Sequence, residues 1–131
     1  MKTYTLDDIR NLDPKPCYDP ERYAPEDWTG TLVDILRAEA VPAEDRIWVV
    51  AGFLDDRTNR LFAVWCARNA LSLIDNPDPR SIAACDIAER YANGVATNYE
   101  LAAAKAAAGD AARAAQIQHL IEMIEASDAA L

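Results

Sequence analysis

Signals that start and stop helices follow one another closely between residues 76 and 108. Asp78 stands directly before Pro79, which is typical of a helix start, because the carboxylate accepts backbone N–H groups and proline suits the first turn. Asn93 followed by Gly94 predicts the end of that helix, since glycine readily takes the left-handed conformation that closes a helix. This spacing predicts helices joined by short turns.

A second helix start follows within a few residues. Thr97 and Glu100 have the spacing of a capping box, in which the two side chains accept each other's backbone N–H groups. The predicted helix covers residues 98–126, because alanine dominates this stretch and has the highest helix propensity. Gly109 costs about 1 kcal/mol relative to alanine there and predicts a bend or a close helix crossing. The large apolar residues at the far end are expected to be buried against the N-terminal elements: Leu120, Ile121, Met123 and Ile124.

Four further helices are predicted before residue 75, because apolar residues recur at helical spacing behind capping residues. The predicted starts are Thr5, Thr29 or Thr31, Pro42, and Asp55 or Asp56. The helix after Pro42 is apolar around most of its circumference and is therefore expected to sit centrally. The proline-rich run over residues 13–25 disfavours helix and predicts an extended connecting segment, pinned by Tyr18 and Tyr23.

The fourth of these helices has a strong apolar period over residues 57–74. Its expected buried face consists of Leu61, Phe62, Trp65, Cys66, Asn69 and Leu73. Its arginines are predicted to pair with nearby carboxylates rather than to bind phosphate: Arg57, Arg60 and Arg68. Because no run of the sequence alternates apolar and polar residues in the manner of a strand, the predicted class is all-α. We expect a single compact bundle of about five to six helices with a proline-rich N-terminal connecting segment.

The chain length of 131 residues fits one domain, so residues 1–131 are predicted to form a single domain. Its net charge of −9 is uneven. Residues 1–56 contain thirteen Asp and Glu against six Lys and Arg, whereas residues 57–131 contain nine against seven. Direct nucleic-acid binding is not expected, because it depends on cations that displace counterions from phosphates. The acidic front part favours a basic protein partner, although surplus carboxylates also serve solubility alone.

Four adjacent pairs of carboxylates lie in the front part, and each pair falls at a predicted helix start: Asp7 and Asp8, Glu26 and Asp27, Glu44 and Asp45, and Asp55 and Asp56. Capping and the helix dipole therefore account for the pairs without any acid–base role. Their restriction to the front part is not explained by capping, and it motivates a partner-binding hypothesis with an aromatic anchor. The predicted partner-binding residues are Glu26, Asp27, Trp28, Glu44, Asp45, Asp55 and Asp56.

Residues that support catalysis are scarce. The only histidine is His119, which has Glu122 three residues on, a pair too common on helices to indicate a metal site. Cys66 and Cys85 are expected to pack in the core as small apolar side chains, and Cys17 has no histidine nearby. We therefore predict no catalytic residue, no cofactor and no metal, and the chain is not expected to be an enzyme. The odd cysteine count and the lack of a signal peptide or membrane-length apolar segment predict a cytoplasmic location.

Residues 60–108 contain a run of motifs: RLFA-x-x-C-A-R, then DPRS, then AERYA-x-G-x-AT-x-x-EL-x-AA. This pattern resembles a small all-helical module found in bacterial and phage-borne immunity proteins, which bind and neutralise a toxin. The resemblance implies a helical scaffold and an inhibitory partner, and it brings no catalytic residues. Residues 1–56 lie outside it.

Two classes of function follow. The first is a non-enzymatic acidic inhibitor, either immunity-protein-like or a phage or mobile-element protein, for example an anti-CRISPR, that blocks a basic surface of its target. Surfaces that normally bind nucleic acid are included among these basic surfaces. Such a protein would act in the cytoplasm, in the host cell if phage-encoded, as a monomer by default with oligomers open, and without binding membrane. The alternative is a small enzyme or a small-ligand-binding helical domain that uses a buried carboxylate.

Overall fold

The computed structural model describes residues 1–129 of the chain. These residues are 67% helical and 3% strand, which confirms the predicted all-α class, and six α-helices match the predicted number. Residue contacts group the chain into two units, Met1–Asp55 and Asp56–Leu131, named here the N-terminal and the C-terminal unit. The boundary lies one residue before the predicted division after residue 56. The assignment of both parts to a single domain stays a prediction.

The N-terminal unit has short elements. In chain order they are β1 (Tyr4–Thr5), α1 (Leu6–Arg10), a 3₁₀-helix (Pro20–Arg22), β2 (Thr29–Gly30), α2 (Leu32–Leu36) and α3 (Ala43–Phe53). The two strands pair antiparallel, with Tyr4 opposite Gly30 and Thr5 opposite Thr29. The sequence did not predict this pair because two residues are too few to show alternation.

Capping boxes start both five-residue helices of this unit. At α1 the backbone N–H of Asp8 donates to the Thr5 hydroxyl (3.2 Å) and that of Thr5 donates to the Asp8 carboxylate (2.8 Å). Thr31 and Asp34 repeat the arrangement at α2 with the same two distances. The predicted start at Thr5 is confirmed, and Thr31 rather than Thr29 caps α2. Because helices this short are unstable alone, the caps and packing hold them.

One apolar core lies beneath these elements. Its buried residues are Leu6, Ile9, Ile35, Val49 and Val50. The proline-rich segment is not simply extended, because Pro20 is buried in its 3₁₀ turn and the rings of Tyr18 and Tyr23 meet edge to face at 5.3 Å. The helix α3, which was expected to sit centrally, contributes Val49 and Val50 to this core, while its Ile47 and Trp48 are exposed.

The C-terminal unit consists of three longer helices, α4 (Asp56–Leu71), α5 (Pro79–Ala92) and α6 (Asn98–Ala129), and α5 packs against both of the others. The predicted start and stop signals of its last two helices are confirmed. Asp78 accepts the Arg80 N–H at 2.8 Å, Gly94 has a φ of +76°, and the capping box at the start of α6 closes with bonds of 3.1 and 3.2 Å. Each of these signals is local, so the sequence alone contains it.

The predicted buried face of α4 is wrong. Val64 is its buried residue, while Phe62, Trp65, Cys66 and Leu73 of the predicted face are exposed. The side that meets α5 instead contains Arg68, whose Nη2 lies 2.9 Å from Asp86 and 2.7 Å from Glu89. These ion pairs were predicted for Arg68. Arg57 instead donates to the Asn93 side chain (2.8 Å), and Arg60 lies over the Tyr91 ring (4.8 Å).

The expected burial at the far end of α6 is also wrong. Ala111 is the last buried residue of this helix, and residues 112–129 are all exposed. Among the described residues, no helix has the length and apolarity required to cross a membrane.

Candidate protein-binding surface

Six of the seven predicted partner-binding residues belong to the N-terminal unit, and the seventh, Asp56, is the first residue of α4. The N-terminal unit contains twelve Asp and Glu against six Lys and Arg, and the C-terminal unit contains ten against seven. The negative charge is therefore concentrated in the N-terminal unit.

Glu26 is held in an ion pair. Nη1 and Nη2 of Arg10 lie 2.7 and 2.9 Å from its two carboxylate oxygens, and these hydrogen bonds hold the pKa of Glu26 below its usual range. The same guanidinium contacts Asp7 at 3.0 Å and both Asp19 and Glu21 at 3.3 Å. We name these five residues the Arg10 cluster. Because four carboxylates share one cation, the cluster remains negative and extends the acidic field of the unit.

Trp28, the predicted aromatic anchor, is half-buried and packs against the core. Its ring lines an apolar cavity of about 160 Å³ together with Tyr18, Ile35 and Val41. Small-molecule sites usually occupy roughly 300–1,000 Å³, so this cavity is small for a ligand. Trp28 therefore contributes to the core of the unit.

The remaining predicted acids differ in their surroundings. Asp27, Glu44 and Asp55 are exposed, whereas Asp45 is half-buried. Burial raises the pKa of the Tyr18 hydroxyl, and the nearby carboxylate of Asp45 raises it further. Asp45 is thus near Tyr18 of the proline-rich segment and only partly exposed.

An exposed apolar surface on α3 was missed from the sequence. Trp48 is 40% exposed and Ile47 is 45% exposed, while Val49 and Val50 face the core. Glu44 precedes Trp48 by four residues and lies on the same side of the helix. We name Glu44, Ile47 and Trp48 the α3 face. The sequence contained a signal for this surface. Because α3 is apolar around nearly its whole circumference, the acidic residue Glu44 in its first turn indicates which side of the helix faces solvent.

A metal site and the alternative function would each require a particular arrangement of side chains. Within residues 1–129, no group of three or more His, Cys, Asp and Glu is placed to hold a metal ion. The alternative function requires a buried carboxylate, and no polar or charged residue is buried in that part of the chain. Cys85 is buried as predicted, whereas Cys66 is exposed and not in the core.

Comparisons with models of protein families, with curated proteins and with solved structures give no match to this chain. The resemblance to immunity protein modules over residues 60–108 therefore stays a prediction that rests on its motifs.

Proposed function

We propose that this chain is a non-enzymatic inhibitor whose N-terminal unit docks on a basic surface of a target protein. The observation that carries the proposal is the α3 face, where Trp48 and Ile47 are exposed beside Glu44. Tryptophan is enriched among the residues that dominate binding energy, because its large rigid ring buries much apolar area at little entropic cost. A carboxylate one helical turn away favours a cationic partner.

The negative charge of the N-terminal unit and the exposed Trp48 ring of the α3 face contribute to binding in different ways. The N-terminal unit has twice as many acidic as basic residues, and four of these carboxylates surround one guanidinium in the Arg10 cluster. Such a field accelerates encounter with a basic partner and selects against acidic ones. Burial of the Trp48 ring then slows dissociation, because desolvated aromatic anchors mainly affect the off-rate.

Two kinds of target suit this chemistry. One is a toxin, as the resemblance to immunity proteins implies, and the other is a host defence effector whose basic surface normally holds nucleic acid, as in a CRISPR complex. In either case the inhibitor acts by occupying the surface, so it needs no catalytic group. Genes for a toxin or for phage functions beside its own gene would support the proposal.

The test has two steps. Affinity capture from the native host with the wild-type chain, followed by mass spectrometry, identifies a candidate target. Binding of that purified target is then measured with Trp48→Ala, with Glu44→Lys and with Trp65→Ala, an exposed tryptophan of the C-terminal unit that serves as matched control. Circular dichroism verifies that each variant is folded.

We expect Trp48→Ala to raise Kd by roughly thirtyfold, since anchor residues contribute about 2 kcal/mol or more. Glu44→Lys should lower the on-rate and reduce its dependence on salt, whereas Trp65→Ala should bind like the wild type. Reversal of all the predicted acids should abolish binding: Glu26, Asp27, Glu44, Asp45, Asp55 and Asp56. A target that binds the α3 variants and the charge-reversed chain with unchanged affinity would exclude the N-terminal unit as the docking surface.

A further inference from the structure

The second half of α6 presents an apolar stripe to solvent. The helix has 32 residues, which is roughly 48 Å at 1.5 Å per residue, and residues 112–129 are all exposed. Within that stretch, four large aliphatic side chains are between 41% and 61% exposed: Ile117, Leu120, Ile121 and Ile124. Their spacing of three, four and seven residues places them on one side of the helix. This is the pattern of a helix that packs against another helix.

Opposite charges stand at the two ends of the stripe. Arg113 precedes Ile117 by four residues, and Asp128 follows Ile124 by four, so both lie on the same side as the stripe. Arg113 pairs with Asp110 of its own helix, yet both side chains are about two-thirds exposed, at 67% and 64%. The guanidinium therefore remains accessible to a second carboxylate.

The stripe is complementary to itself when a second copy runs in the opposite direction. With the symmetry axis between Leu120 and Ile121, Ile117 of one copy lies opposite Ile124 of the other. The same register places Arg113 opposite Asp128 at both ends of the pair. One self-complementary patch repeated on both subunits is the usual form of a two-fold interface.

A parallel pair does not have this complementarity. In a parallel register each residue faces its own counterpart, so Arg113 would face Arg113 and Asp128 would face Asp128. Like charges directly opposite one another are destabilising, and parallel helix dipoles repel. The charges at the ends of the stripe thus select the antiparallel arrangement.

We propose that the second half of α6 is a self-association surface, on which two copies of this chain pair as antiparallel helices. The pairing covers the aliphatic stripe and forms two symmetry-related contacts between Arg113 and Asp128. The interface is short, so the dimer should dissociate on dilution rather than be permanent. The inference does not depend on the proposed inhibitory function, because the residues involved belong to a different unit from the α3 face.

The test measures the mass of the full-length chain by sedimentation equilibrium over protein concentrations of roughly 5–500 µM. The variants are Arg113→Asp, Asp128→Arg and the double swap of the two charges. Glu122→Arg, a charge reversal on the opposite side of α6, is the matched control. Leu120→Gln tests the apolar centre, and circular dichroism verifies the helix content of every variant.

We expect a concentration-dependent dimer in the wild type and in Glu122→Arg. Each single reversal should weaken dimerisation by roughly tenfold, since it turns two attractive contacts into repulsive ones, and the double swap should restore it. Leu120→Gln should remain monomeric over the range. The proposal is overturned if the wild type stays monomeric at all concentrations, because another occupant would then cover the stripe. It is equally overturned if the double swap fails to restore a dimer that the single reversals weaken.

Discussion

Gly30 is the position where a single added methyl group tests the packing of the N-terminal unit. A Cβ built there overlaps Cζ2 of Trp28 and lies 3.0 Å from Cη2 and 3.1 Å from Cε2 of the same ring. Gly30 pairs with Tyr4 in an ordinary antiparallel ladder, so alanine meets no backbone strain. The cost of Gly30→Ala is therefore steric, because the half-buried indole, which packs against the core, has to shift.

The change in the free energy of unfolding that Gly30→Ala causes follows from two opposing effects. Forcing an extra carbon into packed surroundings costs about 1–3 kcal/mol, and the lower entropy of alanine in the unfolded chain returns about 0.4–1 kcal/mol. We expect Gly30→Ala to lower the free energy of unfolding by about 1–2 kcal/mol. Gly109→Ala is the matched control, because a Cβ there meets only Arg113, at 3.6 Å. That change should stabilise α6 by about 1 kcal/mol, so the same substitution has opposite signs at two sites.

The assay is urea unfolding of the full chain, with hydrogen exchange read by mass spectrometry to assign the change to one unit. A double-mutant cycle with Trp28→Phe isolates the contact, since the smaller ring leaves room for the methyl group. We expect the penalty of Gly30→Ala to fall by roughly 1 kcal/mol in the Trp28→Phe background. If the penalty is the same in both backgrounds, the overlap with the indole is not its cause. A variant as stable as the wild type would refute the packing argument altogether.

Two further outcomes follow from the same structure. Hydrogen bonds from the Thr31 backbone and side chain hold the pKa of Asp34 below its usual range, so its stabilising effect is present above about pH 4 and is lost as pH falls through the depressed value. Acid unfolding of Asp34→Asn should therefore depend less on pH than that of the wild type. Cys66 is exposed and Cys85 is buried, so a thiol reagent should label Cys66 at once and Cys85 only when the C-terminal unit opens. Equal labelling rates would contradict the orientation of α4 and α5.

Local signals in the sequence predicted the helix boundaries well. The caps at Thr5, Asp78 and Thr97 are confirmed, because a capping side chain and the backbone group it serves lie within three residues of each other. The same holds for the left-handed stop at Gly94. None of these features depends on what the helix packs against.

The faces of the helices were harder to predict, because they depend on partners far away in the chain. On α4 the aromatic residues gave the strongest apolar period, yet the side that meets α5 is organised around Val64 and Arg68. An arginine that pairs with two carboxylates on the neighbouring helix occupies contact surface that a hydrophobicity pattern assigns to solvent. Phe62 and Trp65 are left stacked on each other and exposed.

Prediction from the sequence has the same limit for the two tryptophans of the N-terminal unit, where the exposed binding residue had to be selected. Trp28 and Trp48 both stand close to acidic pairs, and the sequence favoured Trp28 as the anchor. The Trp28 ring lies against Gly30 of β2 and packs on the core, whereas the Trp48 ring is exposed. Which of the two rings is accessible thus depends on packing against residues elsewhere in the unit, and no helical periodicity in the sequence predicts that packing.

The two proposals have a joint consequence for affinity. The α3 face belongs to the N-terminal unit, and the α6 stripe belongs to the C-terminal unit, so they use separate residues. A dimer formed through α6 would present two α3 faces. A target with two or more copies of its basic site could then bind both faces of one dimer, and the distance between the faces would set the effective concentration for the second contact. Disruption of the dimer by Leu120→Gln should then weaken binding to a multivalent target and leave binding to a single isolated site unchanged. If the variant lost affinity for the isolated site as well, α6 would belong to the docking surface itself, and the separation of the two surfaces would be wrong.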